Sequence, residues 1–133
     1  MSDSGFRWPL TVYIEDTDAG GIVFYVNYLK FMERARTEYL RSEGFDKNYI
    51  FNADLMFVVH SVACEYIAPA RLDDQLEVTA KLITLGASKM ELEQLVYREG
   101  ELLCRGKVII VCVDRESMKP KRIPKAIRLA LVE

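Results

Sequence analysis

The sequence predicts an α+β fold, an antiparallel five-stranded sheet curled around one long helix. Three observations carry this reading. One long segment, about residues 26–43, holds a helical apolar period. Four strand-like segments follow it, separated by breaks too short for crossover helices, so neighbours can pair antiparallel. One more strand-like segment precedes it. With 133 residues the chain suits a single domain. Half of its residues are apolar and 29% are charged, enough for a sizeable core and too apolar for a disordered chain.

Residues 7–14 (Arg7-Trp8-Pro9-Leu10-Thr11-Val12-Tyr13-Ile14) are rich in β-branched and aromatic types and read as a strand. Pro9 puts that strand at a sheet edge or marks its start. Residues 15–24, with Asp16, Asp18, Gly20 and Gly21, read as a loop. In the helix, Tyr28, Phe31, Met32, Ala35 and Tyr39 form one apolar stripe, and Lys30, Glu33, Arg34, Glu38 and Arg41 lie mostly off it. Gly44 suits the position just past its last turn. A shorter helical piece is expected over 46–53.

Strands are expected over 57–67, 74–85, 88–98 and 101–113. Pro69 with Asp73-Asp74, Gly86 with Ser88, and Glu99-Gly100 supply the breaks. Leu76, Val78, Ala80 and Leu82 alternate with Glu77, Thr79 and Lys81, the pattern of a strand with one buried face. Val108 to Val113 is apolar on both faces. It should be a central strand, covered on both sides or buried in an oligomer. Residues 123–132 suit a closing helix with Pro124 in its first turn.

Eighteen Lys and Arg against 20 Asp and Glu give a net charge of −2, which offers no general basic field to a nucleic acid. No run approaches the roughly 20 apolar residues of a membrane span. The opening Met1-Ser2-Asp3-Ser4-Gly5 lacks the basic and apolar regions of a secretory signal. Cys64, Cys104 and Cys112 are too few and too scattered for a disulfide framework or a metal clip, so reduced thiols and a cytoplasmic location are expected. His60, the single histidine, excludes any site that needs two. Glycine-rich phosphate cradles are absent from the sequence, and neither a cofactor nor a metal is expected.

The most concentrated polar segment runs from Glu15 to Tyr28. Glu15, Asp16 and Asp18 crowd together, Gly20 and Gly21 follow, and a helix begins just beyond. Glycines let the backbone approach a ligand closely. A helix start presents free N–H groups and positive partial charge. A carboxylate beside such donors can attack a carbonyl while the donors hold its oxyanion. The same composition also suits a solvated turn that leads into a helix. A calcium loop fits poorly, because Gly20 and Asn27 occupy ligand positions and a strand precedes the segment.

The stretch from Tyr13 to Leu40, with Glu15-Asp16-Thr17-Asp18-Ala19-Gly20-Gly21-Ile22-Val23-Phe24-Tyr25-Val26-Asn27-Tyr28 at its head, resembles the active-site signature of the 4-hydroxybenzoyl-CoA thioesterase family. These are acyl-CoA thioesterases of the hotdog fold. Phe57-Val58-Val59, Tyr66-x-Ala68-Pro69-Ala70-Arg71-Leu72-Asp73-Asp74, Cys112-Val113-Asp114 and Met118-Lys119-Pro120 also match. The likeness runs nearly end to end and is strongest to the bacterial branch associated with the Tol–Pal envelope system.

The resemblance implies hydrolysis of an acyl-CoA thioester. Asp18 would act as general base or nucleophile, and the Tyr25 backbone N–H would be the oxyanion donor. Several relatives carry His where this chain has Tyr25, but any non-proline residue supplies the N–H. Gly20, Gly21, Asn27 and Tyr28 would shape the loop, helix start and pocket wall. Val58, Val59 and His60 would line the acyl pocket from a neighbouring subunit of a dimer or tetramer. Asp16 is assigned to loop structure. Glu33 is a rival carboxylate, read as structural because it falls off the apolar stripe. The reacting acid is expected to be buried. Arg115, Lys119, Lys121, Arg122, Lys125 and Arg128 could attract the phosphates of CoA or an acidic acyl carrier protein. The other reading is a non-catalytic module that binds acyl-CoA or acyl carrier protein and serves phospholipid or envelope assembly. Neither reading calls for a nucleic-acid partner or an integral membrane segment.

Overall fold

A computed structural model describes residues 5–44 and 54–131. The helical piece expected over 46–53 lies outside them. The chain runs β1 (Arg7–Thr11), α1 (Tyr25–Ser42), β2 (Leu55–Tyr66), β3 (Gln75–Thr79), β4 (Lys81–Leu85), β5 (Lys89–Arg98), β6 (Glu101–Asp114) and α2 (Lys125–Leu131). The strands form one antiparallel sheet in the order β1-β3-β5-β6-β2, with β4 also paired to β5. Among the described residues no helix is long and apolar enough to cross a membrane.

The sheet therefore has six strands rather than the five expected. The segment read as one strand over 74–85 breaks at Ala80. Val78 faces Val96 and Lys81 faces Glu93, so the register of β3 on β5 carries over into β4 as far as Leu82 and shifts only between Leu82 and Thr84. Side chains replace the ladder at the break. The Leu95 N–H donates to Thr79 Oγ1 at 2.9 Å. Gln94 Nε2 donates to the Thr79 carbonyl at 3.2 Å and to the Met32 carbonyl of α1 at 2.8 Å. Gln94 Oε1 accepts from Arg36 at 3.0 Å. Gln94 is fully buried, so its amide needs these partners. Apolar alternation continues through the buried Ala80, which is why periodicity does not reveal the break.

α1 packs against the sheet through its buried stripe. All five residues of its expected stripe are buried: Tyr28, Phe31, Met32, Ala35 and Tyr39. Its C-terminal turn ends at Gly44, whose φ of +98° suits glycine. The N-terminal half of α1 packs with Val12, Leu76, Val78, Val96 and Leu103. Tyr39 joins a second cluster with Met90, Leu92, Val108 and Ile110, which α2 closes through Ile127 and Leu131. Gly106 sits under Met32, and a Cβ there would stand 2.7 Å from Met32 Cε. The missing side chain lets helix and sheet approach.

The first strand stops at Thr11, short of the expected Ile14. Val12 then exchanges backbone bonds with Asp73 and Asp74, and Ile14–Asp16 turns into a short 3-10 segment. Pro9 lies on an edge strand, as its missing N–H requires. The Glu99-Gly100 hairpin has positive φ at both residues, the geometry that matches strand twist. β6 is interior, between β5 and β2. β2 forms the far edge, and among the described residues it pairs only with β6.

Candidate active site

The loop between β1 and α1 is fixed by its own backbone. Thr17 bridges Val23, the Asp18 N–H donates to the Ile22 carbonyl at 2.9 Å, and the Gly21 N–H donates to the Asp18 carbonyl at 3.0 Å. Gly21 takes a φ of +78°, a left-handed turn position that glycine adopts without strain. The Phe24 N–H then donates to the Asp16 carbonyl at 3.0 Å, tying the helix entrance to the loop.

The three carboxylates of this loop have different surroundings. Asp16 is buried, with Oδ2 accepting from the Tyr13 N–H at 2.9 Å and Oδ1 from Asn27 Nδ2 at 2.8 Å. Glu15 is exposed. Asp18 is also exposed, against the expectation of a buried reacting acid. Its Oδ1 accepts from the Gly20 N–H at 2.9 Å, and Oδ2 has no partner among the described residues. Burial thus falls on the acid that pins the loop rather than on the one that faces out of it.

α1 begins at Tyr25 with Phe24 as its N-cap, a residue with no side chain to satisfy the first amides. The Asn27 N–H turns back to the Phe24 carbonyl at 2.8 Å, while the Tyr25 and Val26 N–H groups have no acceptor among the described residues. Two free amides at a helix N-terminus make an electropositive spot beside the Asp18 loop.

A strap over residues 67–74 closes the other side. The Val23 N–H donates to the Ala70 carbonyl at 2.9 Å, and the Leu72 N–H donates to the Gly21 carbonyl at 3.1 Å. Tyr28 is buried, and its hydroxyl accepts from the Ala70 N–H at 2.9 Å. Burial raises the Tyr28 phenol above its ordinary range. A cleft of about 250 Å³ opens between helix start and strap, lined by Ile22, Val23, Tyr25, Tyr28, Tyr66, Ile67, Ala68 and Pro69. The Tyr66 ring stands edge-on to Tyr25 at 6.1 Å and tilted against Tyr28 at 5.4 Å. Burial and the neighbouring Cys64 and Cys104 thiols push the Tyr66 phenol up to about 12. Burial likewise pushes the Cys104 thiol up to about 12 and raises Cys64 and Cys112. These thiols stay protonated at neutral pH and behave as small apolar groups.

The expected site residues fall into two places. Asp18, Gly20, Gly21, Tyr25 and Tyr28 gather at the loop, helix start and cleft. Asn27 reaches the same corner, but it is buried and its amide is engaged by Asp16. Val58, Val59 and His60 lie on the edge strand β2 and do not line this cleft. Val59 instead lines a groove of about 260 Å³ between α1 and β2, with Val26, Leu29, Glu33, Arg36 and Val62. Val58 faces Val111 on the strand register, and His60 is the extra residue of a bulge between Val59 and Ser61. In the basic C-terminal stretch, Lys121 lies 3.9 Å from Asp114, and Arg128 reaches the Gly86 carbonyl. Sequence reasoning gave no role to Tyr66, Asp74 or Arg98. The family-like segment 66–74 marked the first two, and nothing local marks Arg98.

Comparison with known proteins gives one consistent result. The sequence profile of the thioesterase-like superfamily matches residues 12–131. The chain is 44% identical over 128 residues to the acyl-CoA thioester hydrolase YbgC of Escherichia coli strain CFT073, covering 96% of each. It is 41% identical to the acyl-CoA thioesterase YbgC of Haemophilus influenzae, covering 98% of this chain and 96% of that one. Among solved structures, a probable thioesterase from Bartonella henselae superposes with a TM-score of 0.84 at 31% identity, covering 89% of this chain and 98% of that one.

Proposed function

The chain belongs to the thioesterase-like superfamily, and from that premise we propose that it hydrolyses acyl-CoA thioesters to free acid and CoA, with Asp18 and the N-terminus of α1 as the reacting centre. The observation that carries the reading is the pairing of an outward carboxylate with two amides that lack acceptors among the described residues, held at one corner by the Thr17–Val23 bridge. A thioester carbonyl is electrophilic and its thiolate leaves readily, so the site needs an attacker and an oxyanion donor rather than a strong acid. Asp18 activates water as a general base or adds to the carbonyl itself. The Tyr25 N–H receives the developing negative charge, and one such donor is typically worth about 3–4 kcal/mol.

Asp18 is exposed in the single chain. The dry surroundings that strengthen an oxyanion contact have to come from the bound acyl-CoA and from a second copy of the chain. The open β2 edge supports a homo-oligomer, as do Val59 and Val62, 50% and 41% exposed beside the α1 groove. In that assembly Val58, Val59 and His60 of one copy serve the acyl pocket of another. Gly20, Gly21 and Tyr28 shape the near wall, and Asn27 acts through Asp16. The C-terminal cations suit CoA phosphates or an acyl carrier protein. The reduced thiols suit the cytoplasm.

Free thiol released from a panel of aromatic, short and long acyl-CoAs, followed with a disulfide dye, tests the activity. Release from at least one substrate, lost in Asp18→Asn, is expected. No release from any of them favours a non-catalytic acyl-binding module. Light scattering at micromolar concentration should give at least a dimer, and a monomeric mass would contradict the shared pocket.

A further inference from the structure

We propose that Arg98 and Asp74 are positioning residues for this reaction, a clamp that holds the 67–74 strap against the Asp18 loop. The proposal rests on the thioesterase reading of that loop. Arg98 is the last residue of β5. Its Nη1 donates to Asp74 Oδ2 at 2.6 Å and lies 3.3 Å from the Pro69 carbonyl. Its Nη2 donates to Glu101 Oε1 at 2.8 Å. Asp74 Oδ2 also accepts from the Arg71 N–H at 2.8 Å, which closes the Arg71–Asp74 turn. One guanidinium therefore holds the strap at Pro69 and at Asp74.

What lies between those anchors belongs to the site. The Ala70 and Leu72 backbone holds Val23 and Gly21, and the Ala70 N–H holds the Tyr28 hydroxyl. Pro69 itself lines the cleft. If the clamp slips, the residues that flank Asp18 and face the free amides shift with it. The turn needs external support, because Asp73 sits at a φ of +71°, sparsely populated for a residue with a side chain. Folding alone is a poor reason for the arrangement. Both partners are partly exposed, and such pairs contribute little to global stability. Geometry is a better reason, since a planar fork meets several fixed acceptors at once and a lysine nitrogen does not.

The test compares Arg98→Met, Arg98→Lys, Asp74→Asn and the Arg98→Met/Asp74→Asn double variant with wild type. Steady-state kinetics use the best acyl-CoA of the panel, and thermal midpoints are read alongside. The expected result is a loss of about tenfold or more in kcat/KM for Arg98→Met, carried more by kcat than by KM, because misplacement of a reacting group is costly. Arg98→Lys should recover only part of it. The double variant should be no worse than the poorer single, as residues acting through one contact are non-additive. Glu101→Gln is the control. It strips an ion pair from the same guanidinium without touching the strap, and should keep kcat/KM within about twofold. Wild-type kcat/KM in Arg98→Met, or an equal loss in Glu101→Gln, overturns the clamp. Should Arg98→Met fail to fold, Arg98→Lys and Asp74→Asn decide by the same criteria. An inactive wild type, or full activity in Asp18→Asn, instead brings down the reading of the loop and the clamp with it. That outcome is distinct from an active enzyme indifferent to Arg98.

Discussion

Asn27 donates its side-chain amide to the buried carboxylate of Asp16 at 2.8 Å, across the corner where the loop enters α1. The other Asp16 oxygen is held by the Tyr13 N–H. The pair ties the loop that carries Asp18 to the first turn of α1. Asn27→Ala leaves a buried acceptor short of a donor, which typically costs about 1–3 kcal/mol. Urea unfolding should report a loss in that range, with a fall in kcat. An unchanged midpoint would detach Asn27 from the corner.

Asp18→Asn should separate chemistry from structure. The asparagine carbonyl oxygen can still accept from the Gly20 N–H, the one side-chain bond Asp18 makes among the described residues. The thermal midpoint should stay within a degree or two, while kcat falls by at least about 10²-fold, the lower range for a lost acid–base group. Near-normal turnover would remove Asp18 from the mechanism.

The donor at position 25 can be deleted without removing the helix. Proline is tolerated at the first helical residue, and Phe24 already has the extended backbone (φ −64°, ψ 131°) that a following proline demands. Tyr25→Pro should lower kcat by about 10²–10³-fold, as expected for a lost oxyanion donor. Tyr25→Ala, which keeps the N–H, should lose far less. Equal losses in the two variants would assign the role to the ring rather than the amide.

Gly106→Ala probes the approach of helix to sheet. The new methyl would meet Met32 Cε and Sδ at 2.7 and 2.8 Å. The flexible thioether can yield, so a destabilisation of about 1–3 kcal/mol is expected by denaturant unfolding. Shortening Met32 in the same chain should recover part of it.

Acid should weaken the fold through two carboxylates. Burial by itself would raise the Asp74 carboxyl, but the Arg98 guanidinium and Arg71 N–H together hold it below the usual range. The Ser117 and Glu116 N–H groups do the same for Asp114. A depressed carboxyl contributes stability above its unfolded value, about 3.9. That contribution is lost as pH falls through the lower folded value. Thermal midpoints should therefore drop more gently below about pH 4 in Asp74→Asn than in wild type. Parallel curves would leave Asp74 out of the acid response.

Much of this was legible in the sequence. The stripe from Tyr28 to Tyr39 fixed the helix and its buried face, because a 3.6-residue period has one solution. The Glu15-to-Tyr28 segment stood out as a candidate site through its family likeness, whereas its composition alone suited a solvated turn equally. What was not legible depends on distance in the chain. Nothing local tells which of Asp16 and Asp18 is buried, since the choice is made by Tyr13 and Asn27 after folding. The break at Ala80 is hidden because Gln94 mends it from another strand. Arg98 is 24 residues from Asp74, and its reach appears only when the β5–β6 hairpin brings it beside the strap. The His60 bulge likewise depends on the register of β6.

The two margins of the sheet are unequal. One is made of β1 and β4, five residues each, and carries Pro9. The other is twelve residues of β2 whose outward amides and carbonyls are not taken up by another described strand. A sheet that can extend from only one side cannot propagate. In the proposed homo-oligomer, a like partner paired along β2 would use up the longer margin and leave only the short, proline-bearing one, so lateral growth would stop at a closed twofold pair.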